Sequence, residues 1–144
     1  MLYSNPEQMM RGEIKRALTA TGLPVVEIGA KSKEYPHLSY QLLGVIEEEK
    51  SEGGRVETCT AYFKVLAHIA VGSSDSIEDE AGRVNLMVKK ALKKFRPCDD
   101  SRYEDEDMTA VLTRIKPGKF DRALSPGQGI TDIVFPVLFT QAWK

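Results

Sequence analysis

From Arg55 to Val71 the chain reads RVETCTAYFKVLAHIAV, a two-residue alternation sustained for longer than an ordinary strand requires. Cys59, Ala61, Phe63, Val65, Ala67, Ile69 and Val71 fall on one side, and Thr58, Thr60, Tyr62, Lys64 and His68 on the other. At roughly 3.3 Å per residue such a strand spans about 50 Å, against the ~17–20 Å that is usual. An element of that length can project past its own domain. The part holding Phe63, Val65, Ala67 and Ile69 is expected at the sheet centre facing the helices. The start, beside Gly53, is expected to extend outward, with a bulge or bend partway.

The rest of the chain supplies helices to cover that strand. Asn5 suits a helix N-cap, Pro6 the first helical position, and Gln8 the place where a capping box puts Glu or Gln. The spacing predicts a helix from Pro6 to Thr21, with Met10, Ile14, Ala17, Leu18 and Thr21 as its buried stripe, stopped by Gly22 and Pro24. A second helix is predicted from Asp75 or Ser76 to Phe95, with acidic residues in its first turn and Lys89, Lys90, Lys93 and Lys94 in its second half. Strands are predicted at 25–28, 37–43, 108–116 and 130–143, and Pro136 argues for an edge or a bulge in the last. The segment CDDSRYEDED is read as a loop, and KFDRALSPGQG, without sustained periodicity, as a long one.

Strands 38–46 and 55–71 can pair as an extended hairpin whose tip carries Glu47, Glu48, Glu49 and Glu52, with Gly53 and Gly54 supplying turn freedom. A solvated acidic loop that keeps an edge soluble is the plainer account of the glutamates, and a partner-contacting arm the sharper one.

No residue announces catalysis. With 144 residues the chain fits one domain, 1–144, and a net charge of −1 gives no global pull toward nucleic acid or anionic membrane. The first fifteen residues lack a basic region followed by an apolar one, and no apolar run reaches about 18 residues, so a reducing cytoplasm and no membrane partner are expected. Cys59 and Cys98 match neither a disulfide framework nor a zinc spacing. Cys59 reads as a small core residue and Cys98 as a loop thiol. The acidic stretch Asp99 to Asp107 lacks the spacing and central glycine of a calcium loop and reads as a solvated charge run, one able to neutralise the lysines of the second helix. Those lysines have no neighbouring aromatic platform, so direct nucleic-acid contact is not expected. His37 and His68 are too few for a metal centre, and no nucleophile elbow accompanies them. No cofactor is expected.

What remains is a binding or assembly protein. The opening PEQMMRGEIKRAL helix, the YPHLSYQLLG strand, GGRVETCTAYFKVLAHIAV, SIEDEAGRVNLMVKKAL and the closing ITDIVFPVLFTQAW, in that order, resemble the tail terminator (tail completion) proteins of long-tailed bacteriophages and prophages across nearly the whole chain. The resemblance implies an α+β fold: an antiparallel or mixed β-sheet with two main helices packed on one face, and a long β-hairpin. It implies no enzyme, but a homo-oligomeric ring, a hexamer, that caps the tail tube and joins it to the head–tail connector. Such a protein would be found in the host bacterial cytoplasm during assembly and then in the virion tail. The contacts with ring neighbours, tail tube protein or connector protein are expected at Glu47, Glu48, Glu49, Glu52 and Arg55, and at Lys116, Lys119, Phe120 and Arg122 in the segment 116–129. Two alternatives share the pattern. A neck or head-completion protein, or another tail component, would differ only in partners, and a small-molecule enzyme would need a convergent pocket around His37, His68 and Tyr62.

Overall fold

Asn5 opens the first helix as its sequence requires. In the computed structural model, which describes residues 2–30, 32, 34–49, 53, 55–72, 75–116 and 118–144, with the backbone alone at residue 49, α1 runs Pro6–Thr19. The Asn5 side chain accepts the Gln8 N–H at 2.7 Å, while the Gln8 side chain reaches back one residue further than a capping box, to the Ser4 N–H. Met10, Ile14, Ala17 and Leu18 of the expected stripe are buried together with Met9 and Glu13, whereas α1 stops at Thr19 and leaves Thr21 beyond its end, half-buried. The second helix, α2 (Ile77–Lys94), is capped by Ser76, whose side chain accepts the Asp79 N–H.

Among the described residues seven strands form one mixed sheet: β1 (Val25–Glu27), β2 (His37–Glu49), β3 (Val56–Ala70), β4 (Arg102–Glu104), β5 (Met108–Ile115), β6 (Lys119–Ser125) and β7 (Gln128–Trp143). Their order is β1-β2-β3-β7-β5-β4, with β6 also on β7. Only β1 and β2 run parallel. The sheet curls into a half-barrel. Its concave side is lined by α1, which packs against β1, β2 and β4, and by α2, which packs against β3, β6 and β7. Cys59, Ala61, Phe63, Val65, Ala67 and Ile69, the row read from the alternation, are all buried in the core with the helix stripes and with Ile133, Phe135, Val137 and Phe139 of β7.

The position of β3 differs from expectation. Its start does not extend outward: Val56 pairs with Ala142, and Glu57 pairs with both Glu49 and Gln141. β7 matches β3 residue for residue from Ala142 to Gln128, so β3 has a neighbour on each side along nearly all its length. The irregularity lies in its partner β2, where the register slips between Leu42 and Gly44. β2 and β3 pair antiparallel from His37↔His68 to Glu49↔Glu57. Of the connection between them, Glu52 and Gly54 lie outside the described residues.

The segment expected to be a long loop is a strand. β6 alternates Phe120, Arg122 and Leu124 toward α2 against Lys119, Asp121 and Ala123, and the charged Arg122 in the inward row hides the pattern. A two-residue turn, Pro126-Gly127, joins β6 to β7, with Gly127 at φ +83°, the left-handed region that a Pro-Gly type II turn requires. β5 and β6 lie end to end along one side of β7, the first ending at Ile115 and the second starting at Lys119. That break answers Pro136, which stands neither at an edge nor in a bulge of β7. Lys116 N–H donates to Pro136 O at 2.9 Å, so the side of Pro136 that lacks an N–H faces the gap, where no ladder bond is forfeited. Gly118 permits the close passage there, since a Cβ on it would lie 2.2 Å from Val134 O. The CDDSRYEDED loop also contains a strand, β4, pairing Arg102–Glu104 with Val111–Thr109.

Candidate functional site

Parity along strands places residues on faces, and the topology then brings three polar groupings together. The first lies where the concave row turns from apolar to charged. Glu57 is in phase with Cys59 on β3, Glu47 with Val45 on β2, and Gln141 with Phe139 on β7. Glu57 accepts hydrogen bonds from the Trp143 indole N–H and, at 3.4 Å, from the Gln141 amide. Burial, a hydrogen bond to Glu57 and the charge of Glu57 all push the Glu47 carboxyl up, whereas the Trp143 hydrogen bond leads the effects that hold Glu57 down. The two acids therefore divide the labour: Glu47 keeps its proton to higher pH and Glu57 stays ionised. Burial, helped by the charges of Glu47 and Glu57, pushes the Cys59 thiol up to about 12, so it is an inert core residue, as expected. An open cleft of about 330 Å³ between this cluster and α1 is lined by Glu7, Arg11, Glu47, Phe139 and Gln141. Glu57, Gln141 and Trp143 were not singled out from the sequence, although a charge in phase with a buried row was their signal.

The second grouping joins the two histidines. His37 and His68 are directly opposite in the β2–β3 ladder, their rings stacked at 4.4 Å and 8°. His37 Nδ1 is 2.8 Å from Glu34 O, and Ser39 Oγ is 3.1 Å from His68 Nε2. Burial, then the neighbouring His37, lowers the pKa of His68, so it is neutral at physiological pH. Tyr62 does not join them. It stands opposite Pro136 and six residues from His68, about 20 Å along the strand. Ser39 is 4% exposed, and among the described residues no carboxylate orients the His68 ring, so the pair lacks both the access and the third member of a serine–histidine relay. Its evident work is to satisfy polar groups between two strands.

The third grouping is cationic. A cleft of about 430 Å³ between α2 and β6 is lined by Asn85, Leu86, Lys89, Lys119, Phe120 and Arg122. Lys93 and Lys116 flank a neighbouring apolar hollow that also takes in Ile115 and Gly118. Among the described residues the acidic stretch makes no ion pair with Lys89, Lys90, Lys93 or Lys94 of α2. Glu104 pairs instead with Lys144 and Arg102, and Asp105 accepts the Asp107 and Met108 N–H groups and the Tyr103 hydroxyl. Asp105 is thus a turn-forming residue, and among the described residues no three His, Cys, Asp or Glu side chains converge as metal ligands.

The expected contact residues fall on opposite edges of the sheet. Glu47 and Glu48 are exposed on β2, Glu49 continues that strand by its backbone, and Glu52 lies outside the described residues. Arg55 is exposed, and its carbonyl accepts the Trp143 N–H at 2.7 Å. Lys116, Lys119 and Arg122 are exposed at the other edge. Phe120 differs from the rest: it is half-buried against the core and anchors β6.

No helix among the described residues is long and apolar enough to cross a membrane. No protein-family model matches the chain, and no curated protein matches it. Among solved structures, one whose name carries no functional description aligns over 96% of this chain and 95% of its own, at 14% identity and a TM-score of 0.40. A likeness of that degree carries no argument about function.

Proposed function

We propose that this protein is a structural subunit of a bacteriophage or prophage tail, similar to tail terminators, whose copies close into a hexameric ring that caps the tail tube and meets the head–tail connector. It works without catalysis or a cofactor, first in the host cytoplasm and then in the virion tail. The observation that carries this reading is the convex face of the sheet. A sheet with one face on a core normally turns a hydrated face to solvent. Here Ile46, Tyr62, Val111 and Val134 stand on that face, 54%, 37%, 38% and 42% exposed. The strand register sets them around Pro136 and Leu138, with the Lys64–Asp132 ion pair beside them. A contiguous apolar surface of this kind marks a protein contact. In this reading the long β2–β3 hairpin presents Glu47, Glu48, Glu49, Glu52 and Arg55 to a neighbouring molecule.

Electron microscopy of the full chain mixed with tail-tube protein is the test. Rings seated on tube ends, and tubes of limited length, are expected. Tubes with bare ends at saturating protein would overturn the proposal.

A further inference from the structure

The sheet has two long free edges of opposite charge. On one side β1 covers β2 only as far as Tyr40, and among the described residues no strand lies beside Gln41 to Glu49 there. On the other, β4 covers β5 over Thr109 to Val111 and Ser101 O takes the Leu112 N–H, leaving Thr113 to Ile115 and all of β6 without a neighbouring strand there among the described residues. Each free stretch is a row of unpaired backbone donors and acceptors, a template for another strand. The first ends in Glu47, Glu48 and Glu49, whereas the second carries Arg114, Lys116, Lys119 and Arg122 against the single acid Asp121. Among the described residues, none of these four cations has a carboxylate within 4.0 Å, and neither Glu47 nor Glu48 has a cation.

We infer that, within the ring reading on which this rests, copies join edge to edge, the acidic free edge of β2 in one copy lying antiparallel along the basic β5–β6 edge of the next. Like charges keep each edge from pairing with its own kind, so the guard that prevents random aggregation also selects the unlike edge. The directions agree. β2 is antiparallel to β3, β3 to β7, and β7 to β5 and β6, so continuing the sheet into a neighbour sets β6 antiparallel to β2. Two different edges make a head-to-tail contact, which generates a ring when its rotation closes. The register is accessible as well. Gly44 stands level with Lys116 across Tyr62 and Pro136, so a stagger of four residues, an even number that keeps every side chain on its own face, gives Glu48 the level of Gly44 and sets it opposite Lys116. A curled sheet extends itself with a stagger of this kind. Glu49 then follows along β5, beside the hollow flanked by Lys93 and Lys116.

Two double variants of the full chain test this, E47K/E48K and K116E/K119E, with circular dichroism to establish that each folds. In sedimentation velocity each alone is expected to associate about tenfold or more weakly than the wild type, because every junction then meets like charge. A one-to-one mixture should recover the wild-type mass, since unlike edges are restored at every junction of an alternating ring. Carbodiimide cross-linking of the unmodified chain supplies a second readout independent of the variants. Mapped products joining Glu47 or Glu48 of one copy to Lys116 or Lys119 of another support the pairing. Variants that assemble like the wild type, a mixture that fails to recover, or cross-links confined to other surfaces overturn the edge pairing and leave the ring reading standing. A wild type that stays monomeric overturns both.

Discussion

Replacing Phe135 with alanine is expected to destabilise the fold by about 3–5 kcal/mol, the usual range for emptying a fully buried aromatic site. Phe135 is fully buried at the middle of β7 and stands opposite Phe63 of β3, the ring centroids 6.2 Å apart. Both rings lie between the sheet's two longest strands and the helices, at the place where collapse around a cavity is hardest. β3 and β7 are held in register by their whole ladders, so neither backbone can move in to fill the space. Against a domain stability of roughly 5–15 kcal/mol, such a loss is a large fraction of the total. Urea denaturation should show a lower midpoint with an unchanged slope. A loss under about 1 kcal/mol would mean that the Phe63–Phe135 layer is not the centre of the core.

Glu13→Ala should cost about 2–3 kcal/mol for a different reason. Glu13 is 1% exposed, yet it carries a charge that three groups satisfy: the Tyr3 hydroxyl at 2.8 Å, the Arg16 guanidinium at 2.9 Å and the Ser101 hydroxyl. Arg16 also donates to Arg96 O and lies over the Phe95 ring, so this carboxylate ties α1 to the end of α2 and to the approach to β4. Removing it takes the acceptor from the buried Ser101 O–H, whose oxygen still receives the Cys98 N–H at 2.9 Å, while the half-exposed Arg16 can turn to water. That relief keeps the cost below that of a wholly buried pair. Burial alone would raise the Glu13 pKa, but hydrogen bonds from Arg16, Ser101 and Tyr3 outweigh it and hold the carboxyl below its ordinary range. Its contribution is therefore complete above the unfolded carboxylate value of about 4.3 and is lost as pH falls through the lower folded value. Glu47 acts in the opposite sense, since a raised folded pKa adds stability on acidification. The acid limb of the stability curve should be shallower in Glu13→Ala than in the wild type. Equal limbs would show that the charge of Glu13 is not what the network stabilises.

The sequence carried the local elements wherever each residue in a periodic row was of one kind. The inward row of β3 is apolar from Cys59 to Ile69, and Asn5 and Ser76 both cap the helices they precede. β6 escaped because Arg122 sits in its inward row and because the turn residues around it resemble loop chemistry. The placement of β7 escaped because a fifteen-residue match between strands almost sixty residues apart is a long-range fact, and Pro136 pointed to an edge that its partner's break makes unnecessary. Parity puts Tyr62 and His68 on one side of β3 but gives no level along the strand, and the pocket that an enzyme would need around His37, His68 and Tyr62 has Tyr62 about 20 Å from the other two. The same limit applies to the contact residues. Their acidic and basic sets were legible as charge runs, whereas their separation onto two free edges follows from the strand order alone.

The mass of the wild-type chain in solution tests the central claim most directly. For a chain of 16.1 kDa, native mass spectrometry or sedimentation equilibrium should return six copies, with the assembly weakening as salt screens its charged edges. A species of one-chain mass at every protein concentration and at low salt would contradict the account.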